Sequence, residues 1–243
     1  MSIKVRNNYA LRHQGIEAEL IGAIKIPDSR NIDQFYSQKI DISPPETIHH
    51  SKILVLNFNG IPSIFLPSAK ILDLEVFYYV RISILRKWKN IIVQEKLYIK
   101  GANTKQELDK ELKIVGIGID GYINIKIEIF NININLEDSV DGFILFELLN
   151  IPIVTGEALV LQRILKNNAE QIGQVMIKRL QILDGFPPIN VKIPFRIPLN
   201  KNTIEIGTIK EIAKIYSVRY YLQFVLSDSR NRQYYKQLEI FIK

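Results

Sequence analysis

SVRYYLQFVLSDSRNRQYYKQLEIFIK, running from Ser217 to Lys243, closes the chain and decides its fold class. Val218, Tyr220, Leu222, Phe224 and Leu226 alternate with Arg219, Tyr221, Gln223 and Val225. Tyr234, Lys236, Leu238, Ile240 and Ile242 share one phase of a second run. Successive side chains of a strand point to opposite faces, so each run offers one face for burial and one for solvent or recognition. Between them Ser227-Asp228-Ser229-Arg230-Asn231 supplies polar turn formers. The stretch reads as a β-hairpin. Each tyrosine pair, Tyr220-Tyr221 and Tyr234-Tyr235, sends one ring to each face, leaving one of each free for an interface.

The same period of two recurs upstream. Ala18, Leu20, Gly22, Ile24 and Ile26 share a phase, as do Leu74, Val76, Tyr78, Val80, Ile82 and Ile84. Val191, Ile193, Phe195, Ile197 and Leu199 do too, with Pro194 and Pro198 on the other face; prolines remove ladder donors, which points to an edge strand or a bulge. In residues 123–136 the apolar phase slips: Ile123, Ile125, Ile127 and Ile129 are odd, whereas Phe130, Ile132, Ile134 and Leu136 are even. One continuous strand would turn its apolar side to water there, so a tight turn or bulge is expected near Phe130-Asn131, with Asn131 tolerating positive φ. The best helical candidate is Thr104–Leu112, opened by a Thr104/Glu107 capping box, in a polar stretch that reads as a seam between residues 1–112 and 113–243.

A chain of 243 residues with 47% hydrophobic and 23% charged content suits one large or two ordinary globular domains. No apolar run reaches the roughly 20 residues that span a bilayer. With no cysteine there are no disulfides and no thiolate chemistry. The net charge of +7 favours acidic or phosphate-rich surfaces. The cations are nevertheless dispersed along alternating strands, with no nucleic-acid-binding motif, so nucleic acid is not expected. Weak attraction to anionic membrane headgroups is.

Catalytic motifs are wanting. Gly116-Ile117-Gly118-Ile119-Asp120-Gly121 matches the dinucleotide fingerprint, but an alternating strand follows where a helix must open onto the pyrophosphate. His49 and His50 are adjacent and would face opposite ways on a strand, and His13 stands alone. Acidic pairs such as Glu137-Asp138 read as solvated turn carboxylates. The sequence calls for no cofactor or metal and reads as a protein that is not an enzyme.

The order of residues carries more than the period. S-V-R-Y-Y-L-x-x-V-L-x-D followed by R-x-Y-Y-K-Q-x-E, at Ser217–Glu239, closely resembles the end of retromer's arrestin-fold subunit, the vacuolar protein sorting-associated protein 26 family. Leu11-Arg12-His13-Gln14-Gly15-Ile16, then Glu19-Leu20-Ile21-Gly22, resembles the family's L-x-H-Q-G-I segment and its continuation. Tyr78–Ile84 is similar to its long central strand, and Ile182-Leu183-Asp184-Gly185-x-Pro187 with Ile193-Pro194-Phe195-Arg196 to its I-M-D-G-x-P and I-P-I-R elements.

The resemblance implies an all-β, arrestin-like protein of two antiparallel β-sandwiches, a cytoplasmic adaptor peripheral on endosomes that serves cargo sorting and retrograde transport. It implies a scaffold contact at Ile182, Leu183, Asp184 and Gly185, toward an α-solenoid subunit. It also implies sorting nexins as partners and a cargo contact at the junction of the sandwiches, where an extended peptide adds to a sheet edge. Ile117 and Tyr235 match the walls of that cargo pocket. The family carries roughly fifty more residues ahead of its His-Gln-Gly segment, about two to three strands. A first sandwich without its opening strands, with an edge to be covered, is therefore expected. The alternative is a retromer-derived paralogue serving another assembly as a structural subunit, and a third reading is a small-molecule or lipid binder.

Overall fold

The computed structural model of the chain describes residues 2–5, 9–25, 32–49, 51–58, 66–72, 74–99, 110–200, 204, 207–212 and 215–243. It divides into two compact units, Met1–Asn103 and Thr104–Lys243. Among the described residues the regular elements are strands alone. Most of the helical candidate Thr104–Leu112 lies outside them.

The first unit holds β1 (Ser2–Val5), β2 (Leu11–His13), β3 (Gly15–Lys25), β4 (Ile32–Ser43), β5 (Glu46–Ile48), β6 (Lys52–Val55), β7 (Ala69–Ile71), β8 (Leu74–Leu85) and β9 (Ile91–Leu97). Its main sheet runs β4-β3-β8, with β7 and β9 sharing the far edge of β8. The His-Gln-Gly segment thus leads into β3, a strand paired on both sides. Ahead of it, β1 pairs β6 and β2 pairs β5. Ile48, Leu54 and Leu56 cover a face of the main sheet made of Ile16, Ala18, Leu20, Val80, Ile82 and Ile84. β8 alternates buried and half-buried along its whole length, as its sequence does. β3 does not: a register shift at Gly22/Ala23 lets Ile21 and Ala23 be buried beside Leu20 and Ile24.

The second unit is a sandwich of two sheets. Its strands are β10 (Lys113–Ile119), β11 (Ile123–Ile129), β12 (Asn133–Ile134), β13 (Ser139–Leu149), β14 (Ile153–Lys166), β15 (Glu170–Asp184), β16 (Lys192–Pro198), β17 (Ile209–Ile212), β18 (Tyr216–Asp228) and β19 (Gln233–Ile242). One sheet is β10-β11-β13-β16; the other is β12-β19-β18-β14-β15, with β17 also on β18. β18 and β19 are the hairpin of the closing sequence, and Val218, Tyr220, Leu222, Phe224 and Leu226 are wholly buried. Burying each such side chain contributes about 1.5–3 kcal/mol. Phe195 and Phe224 meet edge to face between the sheets, with ring centroids 5.3 Å apart. Tyr220 keeps its hydroxyl satisfied by Gln162, 2.5 Å away in the core. Among the described residues β16, carrying Pro194 and Pro198, pairs only β13, as a proline-bearing strand should.

The phase slip after Ile129 has a different cause from the turn expected there. At Phe130–Ile132 the chain leaves β11 in one sheet and enters β12 in the other, where it runs parallel to β19. Ile129 before the crossing and Ile132 and Ile134 after it are all in the core, while Phe130 at the crossing is exposed. Asn131 does not adopt positive φ. Its side chain instead accepts from the Glu111 and Asn133 amides and donates to the Asn133 carbonyl, replacing ladder bonds lost in the crossing.

Candidate functional site

One end of the second sandwich gathers four connections. Gly121, at φ 72°, turns β10 into β11. The Asn150 amide and side chain bond the Tyr122 and Gly121 carbonyls, tying that turn to the β13–β14 connection. The Ser229 amide donates to the Pro152 carbonyl, adding the β18–β19 turn. The fourth is the segment from Gly185 to Val191, between β15 and β16.

That segment is built to hold one shape. Gly185 lies at φ 88°, a conformation open to glycine, and its amide bonds the Val154 carbonyl at 2.8 Å. Asn190, at φ 58°, bonds the Phe146 carbonyl at 2.8 Å, so the loop is pinned to both sheets. Pro187 and Pro188 fix two φ angles between the pins, and Pro187 is buried. Held so, the loop presents Phe186 (73% exposed), Ile189 (45%) and Val191 (50%) to solvent. Tyr122 and Leu148 at the same end are exposed as well. This is an apolar rim on a rigid frame.

The four residues expected at the scaffold contact fall at its base. Leu183, 8% exposed, lies next to the end of β15 opposite Gly156 and packs over it: a Cβ at Gly156 would lie 3.1 Å from Leu183 Cβ and 3.4 Å from Ile182 Cγ1. Ile182 is half-buried, Asp184 is exposed opposite Thr155, and Gly185 makes the turn. The segment's most exposed apolar side chains are thus Phe186 and Ile189, which the sequence reading passed over, and Val191, which it placed on the apolar phase of a strand that begins only at Lys192. Their signal was there in F-P-P-I-N-V: apolar residues in a proline-broken stretch cannot be hidden by strand alternation.

Ile117 and Tyr235 are not brought onto one surface. Ile117 faces the core from β10, 7% exposed and opposite Ile125. Tyr235 stands 69% exposed on β19, opposite Val225. β10 pairs only β11, which leaves its outer edge as a row of backbone donors and acceptors among the described residues.

The turn beside the rim contains a buried charge. Asp228 is 1% exposed and accepts from the Arg230 and Arg232 amides, from the Arg232 side chain at 2.7 Å and from the Tyr234 hydroxyl at 3.2 Å. Burial pushes its carboxyl up, but these donors outweigh it and hold the pKa down to about 2. At the opposite end, Lys110, Phe130, Asp138, Asp141 and Arg196 help line an open cleft of about 480 Å³. Asp141 there accepts from Ser139 and lies 3.6 Å from Arg196. His13 is buried in the first unit, its Nε2 3.7 Å from Glu46. No cluster of three or more metal-binding side chains occurs among the described residues, and no helix there is long and apolar enough to cross a membrane.

A sequence profile described as vacuolar protein sorting-associated protein 26 matches residues 1–231. The chain belongs to that family. It is 28% identical over 241 residues to the Schizosaccharomyces pombe vacuolar protein sorting-associated protein 26, covering 98% of this chain and 80% of the yeast one. To vacuolar protein sorting-associated protein 26B of Homo sapiens it is 28% identical over 246 residues, covering 100% and 72%. To the 26B protein of Pongo abelii it is 29% identical over 238 residues, covering 97% and 70%. The family supplies the arrestin-fold subunit of retromer, which sorts proteins at endosomes, and the all-β sandwich architecture described above is that fold.

Proposed function

We infer that this chain is a non-enzymatic adaptor of a retromer-like complex and docks an α-solenoid scaffold subunit through the loop after β15. The observation that carries this reading is the pinned loop itself, in which Phe186, Ile189 and Val191 stand exposed on fixed backbone. Aromatic and aliphatic anchors held in one conformation lose little entropy on binding and dominate interface energies. An α-solenoid offers the matching surface, since the grooves between its stacked helix pairs take apolar side chains. In this reading Ile182 and Leu183 support the loop from beneath, Asp184 and Gly185 set its exit, and Phe186 makes the contact.

The cargo role rests on the unpaired edge of β10, which suits an extended sorting-signal peptide adding to the sheet with a sorting nexin alongside. In this role Ile117 shapes the wall of the groove from behind, and Tyr235 is the residue free to touch a ligand.

The test is capture of the amino-terminal repeats of the solenoid by the purified chain. Phe186→Asp should abolish capture while leaving circular dichroism and melting temperature unchanged. Leu183→Asp should lose capture together with the fold. Undiminished capture by a folded Phe186→Asp protein would rule out the loop as the docking site.

A further inference from the structure

We propose that the β8–β9 turn, Arg86-Lys87-Trp88-Lys89-Asn90, is a membrane-contact tip that seats Trp88 among the headgroups of an anionic bilayer. This inference does not depend on the scaffold reading and concerns the other unit.

Trp88 is the chain's single tryptophan and is 91% exposed at the end of a long hairpin. Arg86, Lys87 and Lys89 flank it, all exposed, and the next carboxylate along the chain is Glu95. Several cations elsewhere sit beside acids: Lys39 with Glu17 at 2.8 Å, Arg81 with Glu19 at 3.3 Å, Lys96 with Glu75, Lys192 with Glu128 at 3.0 Å. Among the described residues the three cations of the tip have no such partner. Part of the +7 excess is therefore concentrated at one protruding point.

The tip is ordered from its base. The Arg86 amide donates to Asn90 Oδ1 at 3.0 Å, closing the turn, and the Gln14 amide bonds the Leu85 carbonyl at 2.7 Å beneath it. Lys87 lies over the Trp88 ring with its ammonium 5.5 Å from the centroid. Exposed apolar residues continue from the tip into β9, with Ile92 at 60% and Val93 at 52%.

Three adjacent cations repel one another, and an anionic lipid surface relieves that repulsion. An indole has an apolar body and one N–H donor, the combination favoured at the boundary between headgroups and acyl chains. A nucleic acid could use the cations and stack on the ring, but it has no use for Ile92 and Val93. A bilayer has use for all of them.

Because Trp88 is alone, its fluorescence reports the tip directly. The full chain is mixed with vesicles of phosphatidylcholine, with or without phosphatidylserine, and followed by flotation and emission. Only the phosphatidylserine vesicles should float the protein, shift the emission to the blue and allow quenching by brominated acyl chains. Raised salt should reverse all three, because the attraction is screened within a Debye length. Lys87→Gln with Lys89→Gln should weaken partition roughly thirtyfold, about fivefold per cation. Trp88→Ser should also float less, and both variants should still capture the solenoid as wild type does. The proposal is overturned if protein floats on anionic vesicles with Trp88 emission unchanged, or if the lysine variant floats undiminished. It is equally overturned if soluble glycerophosphoserine or an RNA homopolymer reproduces the blue shift while vesicles do not.

Discussion

Asp228 continues the buried phase of β18, two residues beyond Leu226, so the strand carries a carboxylate into the core where the hairpin must turn. The turn answers with donors: two backbone amides, the Arg232 guanidinium and the Tyr234 hydroxyl, with Asn231 at φ 60° to complete the reversal. With the folded pKa near 2 against an ordinary 3.8, the charged form contributes stability that is fully present above about pH 4 and is lost as pH falls toward about 2. Asp228→Asn should therefore lower the melting temperature at neutral pH, and the gap to wild type should narrow by about pH 3. A gap of constant size would show that the charge is not what the turn uses. Gly142 is a second residue with no freedom: a Cβ there would lie 2.1 Å from the Glu128 carbonyl oxygen and 2.6 Å from the Phe195 ring. Gly142→Ala should cost about 3 kcal/mol, read by denaturant titration, since neither backbone nor a packed ring can yield cheaply.

At the scale of elements, alternation made the hairpin, β8 and β16 legible, because each buries one face and nothing else competes. It misread the slip after Ile129 because a chain that changes sheets finds a core on either side, whereas a turn within one sheet does not. The expectation of a scaffold contact at Ile182 and Leu183 rests on the family resemblance, not on alternation; Leu183 packs over Gly156 and Ile182 is half-buried beside it. The exposed anchors come only after the Gly185 turn, where the period ends. The same distinction separates Ile117 from Tyr235. Ile117→Asp places a charge in the core and should unfold the second unit before any binding is measured. Tyr235→Ala should leave the melting temperature within about a degree of wild type, as exposed substitutions do, and lower peptide binding in the presence of the sorting nexin. Peptide bound equally by Tyr235→Ala would remove that residue from the cargo groove.

For the molecule as a whole, the sequence carried the family in islands that keep their order from Leu11 to the end, and the profile match over residues 1–231 agrees with them. What it could not carry is which surface faces which partner, since exposure is decided by packing between strands far apart in the chain. In the proposed reading the second unit carries the scaffold contact and the first the lipid contact. The most direct measurement is affinity purification of the tagged full-length chain from its own cells, with wild type and Phe186→Asp compared by quantitative mass spectrometry. An α-solenoid scaffold subunit should be recovered in about equimolar amount with wild type and fall at least tenfold with Phe186→Asp, the loss expected when a central anchor of an interface is removed. Recovery of wild type in a different assembly, with no solenoid subunit present, would contradict the account.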